Sequence, residues 1–249
     1  MKSNQQIKSW WKYIIFFYDW TLFELLLLGT NLICAIIFLV LGLVGHPDNA
    51  SVRDTLISFF ANITNALCII LVAKKKISNF AWGLIAVVLL GVTAFFAKNT
   101  GTWILNWIFN IPVQFIGFYF WFKKTDKKQQ VQVRHLTWWI TLIVLASVII
   151  LTGLLGWVDS LPSVQRFWYG QVIDGNWYRY ITDAAVLVIS VVATVLMILR
   201  FSEQWILWLI SDVMCIILWS INTNPQMIIT WATALINSVY GLINWKRNN

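Results

Sequence analysis

The chain has 249 residues, of which 59% are hydrophobic and only 11% charged, and it carries 17 tryptophans. A soluble domain holds about one-quarter charged residues, so this composition excludes a water-soluble globular protein and points to an all-α integral membrane protein. The formal net charge of +8 invites a nucleic-acid partner, but the basic residues cluster between apolar runs, where they orient helices and meet anionic lipid of the bilayer.

A helix crosses the hydrocarbon layer with about 20 apolar residues. Eight runs meet that need: 20–45, 55–73, 80–97, 102–122, 136–156, 180–199, 205–220 and 226–245. The first is too long for the apolar core of a cleaved signal and is followed by no small-residue cleavage site, so it counts as a helix of the mature chain. With the amino terminus in the cytoplasm, all of the 18 lysines and arginines except Arg53, Lys98, Arg166 and Arg179 fall on the cytoplasmic side. That asymmetry predicts eight spans with both termini in the cytoplasm of a cell (plasma or inner) membrane.

The segments WIFNIPVQFIGFYFW, starting at Trp107, and WATALINSVYGLINW, starting at Trp231, share one frame, and Trp107/Trp231, Gly117/Gly241 and Trp121/Trp245 keep a constant offset. SNFAWGLI, at 78–85, and SEQWILWLI, at 202–210, repeat at nearly the same offset. The chain therefore divides into an amino-terminal amphipathic segment with an extra transmembrane helix (1–54), a first three-helix repeat (55–122), a linker carrying a connecting helix (123–179) and a second three-helix repeat (180–249). Two odd-numbered units keep a common orientation only when one helix lies between them. This predicts a 3+1+3 parallel-repeat transporter fold with the solute site between the halves.

Polar residues recur on single helix faces at spacings of 3, 4 and 7. Ser58, Asn62 and Asn65 share a stripe in the second run, and Asn110 and Gln114 share one in the fourth. Asp183 lies on the polar side of the sixth run, Trp205, Trp208 and Asp212 on one side of the seventh, and Asn237 and Tyr240 on the eighth. A bilayer satisfies neither amides nor carboxylates, so these stripes face the protein interior or a watery cavity. Interhelical hydrogen bonding alone accounts for any single serine or threonine; the amides and carboxylates taken together point to a lined cavity. Trp205 and Trp208 beside Asp212 form an aromatic wall suited to a flat heterocycle, the more so if it is cationic. Trp10, Trp11, Trp20, Trp121, Trp168, Trp177 and Trp245 lie near span ends, where indoles anchor at headgroups. Cys34, Cys68 and Cys215 show no CxxC spacing and read as packing residues, so no disulfide, metal or cofactor is expected.

Together KKKISNFAWGLI, LNWIFNIPVQFIGFYFW, SEQWILWLI and INSVYGLINW resemble the PnuC vitamin transporters over residues from about 55 to 247. The resemblance implies facilitated diffusion of nicotinamide riboside through a trimeric 3+1+3 protein, followed by trapping through a cytoplasmic kinase. Two positions depart from the family pattern, which usually shows asparagine where this chain has Ala86 and Asp212. The departures favour a deoxyribonucleoside as the alternative solute, and thiamine after it. Enzymatic chemistry finds no support: His46 and His135 lie in loops, and no HExxH or GxSxG motif is present. A proton-coupled symporter would rest on Asp183 and Asp212, the acids placed within spans. Lys127→Cys and Lys246→Cys, each made with Cys34, Cys68 and Cys215 replaced by alanine, are expected to stay unlabelled by a membrane-impermeant thiol reagent on intact cells and to react once the membrane is opened.

Overall fold

The computed structural model describes residues 19–45, 49–96, 103–124, 131–169, 172, 177–221 and 225–247. Among these the secondary structure is helical, joined by turns and short irregular segments, with a bridge between Arg134 and Phe201 and further bridge positions at Lys76 and Val131. The helices are α1 (Leu22–Gly45), α2 (Asn49–Ala73), α3 (Asn79–Phe96), α4 (Ile111–Phe122), α5 (Trp138–Asp159), the short α6 (Pro162–Tyr169), α7 (Trp177–Ile198), α8 (Gln204–Ile221) and α9 (Pro225–Arg247). Every predicted span has its helix. The fourth is not uniform: a π-helical stretch, Leu105–Asn110, runs into α4 just before Pro112. Proline has no N–H to donate back one turn, so the wider π register is tolerated there. By length and composition α1, Val52–Ala73 of α2, α3 and α5 suffice to cross a membrane. Among the described residues Ala184–Ile198 of α7 and Gln204–Ile217 of α8 are shorter apolar stretches.

Helix packing is mirrored between two groups of three. Within the first, α2 packs on α3 and α3 on the π stretch and α4; within the second, α7 packs on α8 and α8 on α9. Across the boundary α9 packs on α2, and α4 packs on α7. The α1 helix lies on α2 and α9, and α5 lies on α7. Leu26, Ile33 and Leu41 of α1 and Ile143, Ile149 and Trp157 of α5 are exposed, the pattern of helices that face lipid.

One end of the bundle is held by a reciprocal exchange. The α2 helix closes through Lys75, at φ 60°, with Lys76 N–H donating to Leu71 O and Lys75 N–H to Val72 O. The α7 helix closes through Arg200, at φ 69°, with Phe201 N–H donating to Leu196 O and Arg200 N–H to Met197 O. Both are left-handed Schellman ends built on a cationic residue where glycine is usual. A carbonyl has two lone pairs, and the second one at each end takes an indole from the other group. Trp245 Nε1 donates to Val72 O at 3.0 Å, and Trp121 Nε1 donates to Met197 O at 3.0 Å. Neither indole is an interfacial anchor, contrary to the sequence expectation: both rings are fully buried, at 0% exposure. They sit in a row with Phe80 and Trp205, with centroids 5.1 Å apart for Phe80–Trp121, 6.0 Å for Trp121–Trp245 and 5.9 Å for Trp205–Trp245.

Glycines admit the two outer rings. A Cβ at Gly117 would lie 2.3 Å from the Phe80 ring, and one at Gly241 2.5 Å from the Trp205 ring. The segment after α4 then straps the two closed ends together. Val131 N–H donates to Lys75 O, Arg134 N–H to Arg200 O and Ser202 N–H to Arg134 O, while the buried Val131 side chain joins the aromatic cluster. Gly117→Ala and Gly241→Ala are expected to lower stability by about 1 to 3 kcal/mol each through overpacking. Gly153→Ala in α5, where nothing lies within 4 Å of the added carbon, is expected to be neutral in the same detergent melting assay.

Candidate functional site

Beyond the aromatic row, toward the other end of the bundle, polar side chains from α4, α8 and α9 are buried near the middle of their helices. These are Gln114, Ser211, Asp212, Asn237 and Ser238. Some are paired: Ser238 Oγ donates to Asp212 Oδ2 at 2.7 Å, and Asn237 Nδ2 donates to Ile69 O at 3.3 Å. Others are not. Gln114 Oε1, Ser211 Oγ and Asn237 Oδ1 are buried with no hydrogen-bond partner, a condition that costs about 1 to 3 kcal/mol per group. Gly83 keeps Gln114 in place, since a Cβ there would lie 2.6 Å from Gln114 Oε1 and 3.0 Å from Cys68 Sγ. Gln114 and Asn237 thus flank α2 at the adjacent residues Cys68 and Ile69.

Next to this centre a cavity of about 400 Å³ opens between α1, α2, α3 and α9. Ser58, Asn62 and Asn65, which share one face of α2, line it together with Asn31 of α1, Thr93 of α3 and Thr233 of α9. Asn65 is exposed, which suits a watery cavity and not lipid contact. Ile69 also lines the cavity, and its carbonyl accepts the Asn237 amide, so the cavity and the buried centre share a wall.

The remaining predicted site residues divide. Asn110 Nδ2 donates to Asn106 Oδ1 at 3.3 Å within the π stretch. Trp208 is half-buried against both hydrophobic clusters. Trp205 stands in the aromatic row at 3% exposure instead of forming a wall of the cavity, because the groove over Gly241 draws its ring inward. The side chain of Asp183, in α7, lies outside the described residues, as do Trp10 and Trp11 and the side chains of Trp168 and Trp177. Tyr240 donates its hydroxyl to Glu24 Oε1 at 2.5 Å.

Glu24 is the residue that spacing did not single out. It is buried at 1% exposure in the first turn of α1 and pairs with Lys74 Nζ at 2.6 Å. The lysine also donates to Asp19 O at 2.7 Å. A signal for Glu24 was present: Thr21 and Glu24 form a capping box, in which Thr21 N–H donates to Glu24 Oε2 at 2.6 Å and Glu24 N–H to Thr21 Oγ1 at 3.3 Å. What the box did not reveal is the long-range partners. The extra helix is thereby tied to the end of α2 and to α9, not merely appended to the bundle, and Glu24 joins Asp183 and Asp212 as an acid within a span. Below Lys74, burial lowers the pKa of Lys75, which lies in the turn after α2.

An all-helical bundle with several membrane-crossing helices, mirrored packing and a polar buried centre defines a multi-pass membrane protein of the transporter class. Comparison makes this specific. Residues 55–247 match the family described as nicotinamide mononucleotide transporter. The chain is 34% identical over 258 residues to the nicotinamide riboside transporter PnuC of Neisseria mucosa, covering 96% of this chain and 86% of that one. It is 32% identical over 199 residues to the corresponding protein of Haemophilus influenzae, covering 78% of this chain and 80% of that one. A crystal structure of the vitamin B3 transporter PnuC superposes with a TM-score of 0.71 at 31% identity, covering 96% of each chain. The chain belongs to the PnuC, or nicotinamide mononucleotide transporter, family, and that family is one of transporters rather than enzymes.

Removing one partner of a buried ion pair strands the other charge at a cost of about 3 to 5 kcal/mol. Glu24→Ala is therefore expected to lower the detergent melting temperature strongly, and Glu24→Leu with Lys74→Met to recover much of that loss. Equal losses in the single and double variants would show that the pair is not the tie.

Proposed function

We propose that this chain is a permease of the cell membrane that admits nicotinamide riboside by facilitated diffusion, with both termini in the cytoplasm. Its eight spans form an amino-terminal extra helix and a 3+1+3 core, assembled as a homotrimer. A cytoplasmic kinase then phosphorylates the solute and prevents its return. The relatives named for nicotinamide riboside support the solute, and the mirrored packing of α2–α4 and α7–α9 supports the core.

The observation that carries the reading is the set of buried, unpaired oxygens of Gln114, Ser211 and Asn237 near mid-depth. Amide oxygens accept hydrogen bonds, and a nucleoside with a carboxamide and ribose hydroxyls supplies donors to them. Asp212 adds an acceptor that, when ionised, also attracts a pyridinium ring. A transporter gains from leaving such groups unpaired in the resting protein, because the solute then recovers their cost only while it is in transit.

A second reading, uptake of a deoxyribonucleoside, is favoured by Ala86 and Asp212. Ala86 is buried at 1% exposure, and its small side chain presents no amide to a base. Thiamine ranks third.

Purified protein in liposomes is expected to equilibrate nicotinamide riboside without accumulating it, and an imposed proton gradient is expected to leave the steady state unchanged. Accumulation driven by that gradient would establish symport and bring the acids in the spans into the mechanism. Asp212→Ala is expected to weaken binding by about one to two orders of magnitude, the equivalent of about 1 to 3 kcal/mol. If the native solute is a deoxyribonucleoside, Asp212→Asn with Ala86→Asn moves preference toward nicotinamide riboside; an unchanged ranking marks Asp212 as structural.

A further inference from the structure

The cavity between α1, α2, α3 and α9 differs in chemistry from the buried centre. Its lining carries amides and hydroxyls, including Asn31, Asn62 and Thr233, and none of its lining residues is Asp, Glu, Lys, Arg or His. Such a surface carries no formal charge of its own and offers donors and acceptors to hydroxyl groups. The volume of about 400 Å³ falls within the roughly 300–1,000 Å³ of small-molecule sites. Trp231, which also lines the cavity, has an indole N–H that is buried without a partner. Thr233 Oγ1 reaches Asn31 Oδ1 at 3.3 Å, so α1 and α9 meet through polar groups at this wall.

The cavity also has a direction. Thr233 stands one turn from Asn237 on α9, and Ile69 joins the lining to the Asn237 amide. A solute leaving the cavity inward therefore meets Asn237 and the unpaired oxygens beside it. Part of the wall comes from α1, which precedes the family match at residues 55–247.

From these contacts we infer that this cavity is a second, outer solute subsite that binds the hydroxylated sugar of the incoming nucleoside, with Asn31 of α1 among its ligands. The inference rests on the permease reading for its solute, while its geometry stands apart from it. Sugar recognition occurs first, in an uncharged chamber whose asparagines and hydroxyls stand among apolar side chains, and recognition of the base follows at Gln114, Asn237 and Asp212.

A native thiol reports on the chamber. Cys34 lines it and is half-buried, so a membrane-impermeant methanethiosulfonate added to intact cells is expected to label the protein, and Cys34→Ala is expected to abolish that labelling. D-ribose and nicotinamide riboside are expected to protect Cys34, and free nicotinamide is not. At about ten times the half-protecting concentration, labelling slows about tenfold. Protection by D-ribose is expected to survive Asn237→Ala, which disables the central site, and to weaken in Asn31→Leu, whose change lies on α1. Failure of the outside reagent to reach Cys34, protection by nicotinamide in place of ribose, loss of protection in Asn237→Ala, or full protection in Asn31→Leu would each overturn the subsite. Liposomes that transport no nucleoside while D-ribose still protects Cys34 would overturn the permease reading and leave the subsite standing; transport without any protection would do the reverse.

Discussion

Where the first helix of each three-helix group ends, a backbone carbonyl that already accepts from its own turn has a lone pair to spare, and it gives the buried indole N–H of the opposite group its partner. Val72 O takes Trp245, and Met197 O takes Trp121. Much of the architecture follows from this exchange. Each indole reaches its carbonyl only because Gly117 and Gly241 let the Phe80 and Trp205 rings sink against α4 and α9. The strap through Val131 and Arg134 then binds the two ends to one another. The two groups are thus locked at one end of the bundle, and relative motion between them is cheapest away from that lock.

Buried polar atoms are left unpaired at two levels of the bundle: Asn79 Oδ1, both Gln204 amide atoms and Trp205 Nε1 beside the aromatic row, and a second set at mid-depth. At the tryptophan end Trp121, Trp245 and Asn244 all donate to backbone carbonyls. At mid-depth Gln114, Ser211 and Asn237 keep unpaired oxygens. A bilayer makes such groups expensive, and each one is a cost that the packing of the surrounding helices carries. The chamber beside α1 is different: Asn31 and Thr233 bond to each other there, and Asn31 and Thr93 also donate to carbonyls one turn back in their own helices.

The α1 helix links these two regions. Glu24 fastens its beginning to Lys74 and Tyr240 at the locked end, and Asn31, about two turns further, reaches Thr233 at the chamber. A helix whose outer face is exposed and apolar therefore turns a narrow polar edge inward, and both ends of that edge touch α9. Movement of α9 cannot occur without changing the contacts of α1.

Length, composition and helical spacing are local properties, and they were sufficient to show a membrane protein, to place its helices, to align Trp107, Gly117 and Trp121 with Trp231, Gly241 and Trp245, and to put Ser58, Asn62 and Asn65 on one face. Motif order was enough for the family. The direction in which a buried tryptophan points depends on a carbonyl and a glycine in distant helices, so the same sequence reading placed Trp121 and Trp245 at headgroups and Trp205 beside the solute. Glu24 showed the same limit: its capping box lies within four residues, but Lys74 and Tyr240 come from other helices. Which residues are apolar, which are polar and which share a helix face can be read from the chain alone, because those follow from its own period. Which polar groups are paired and which are not is a matter of tertiary packing, because each pairing requires two distant backbones to approach within hydrogen-bond reach.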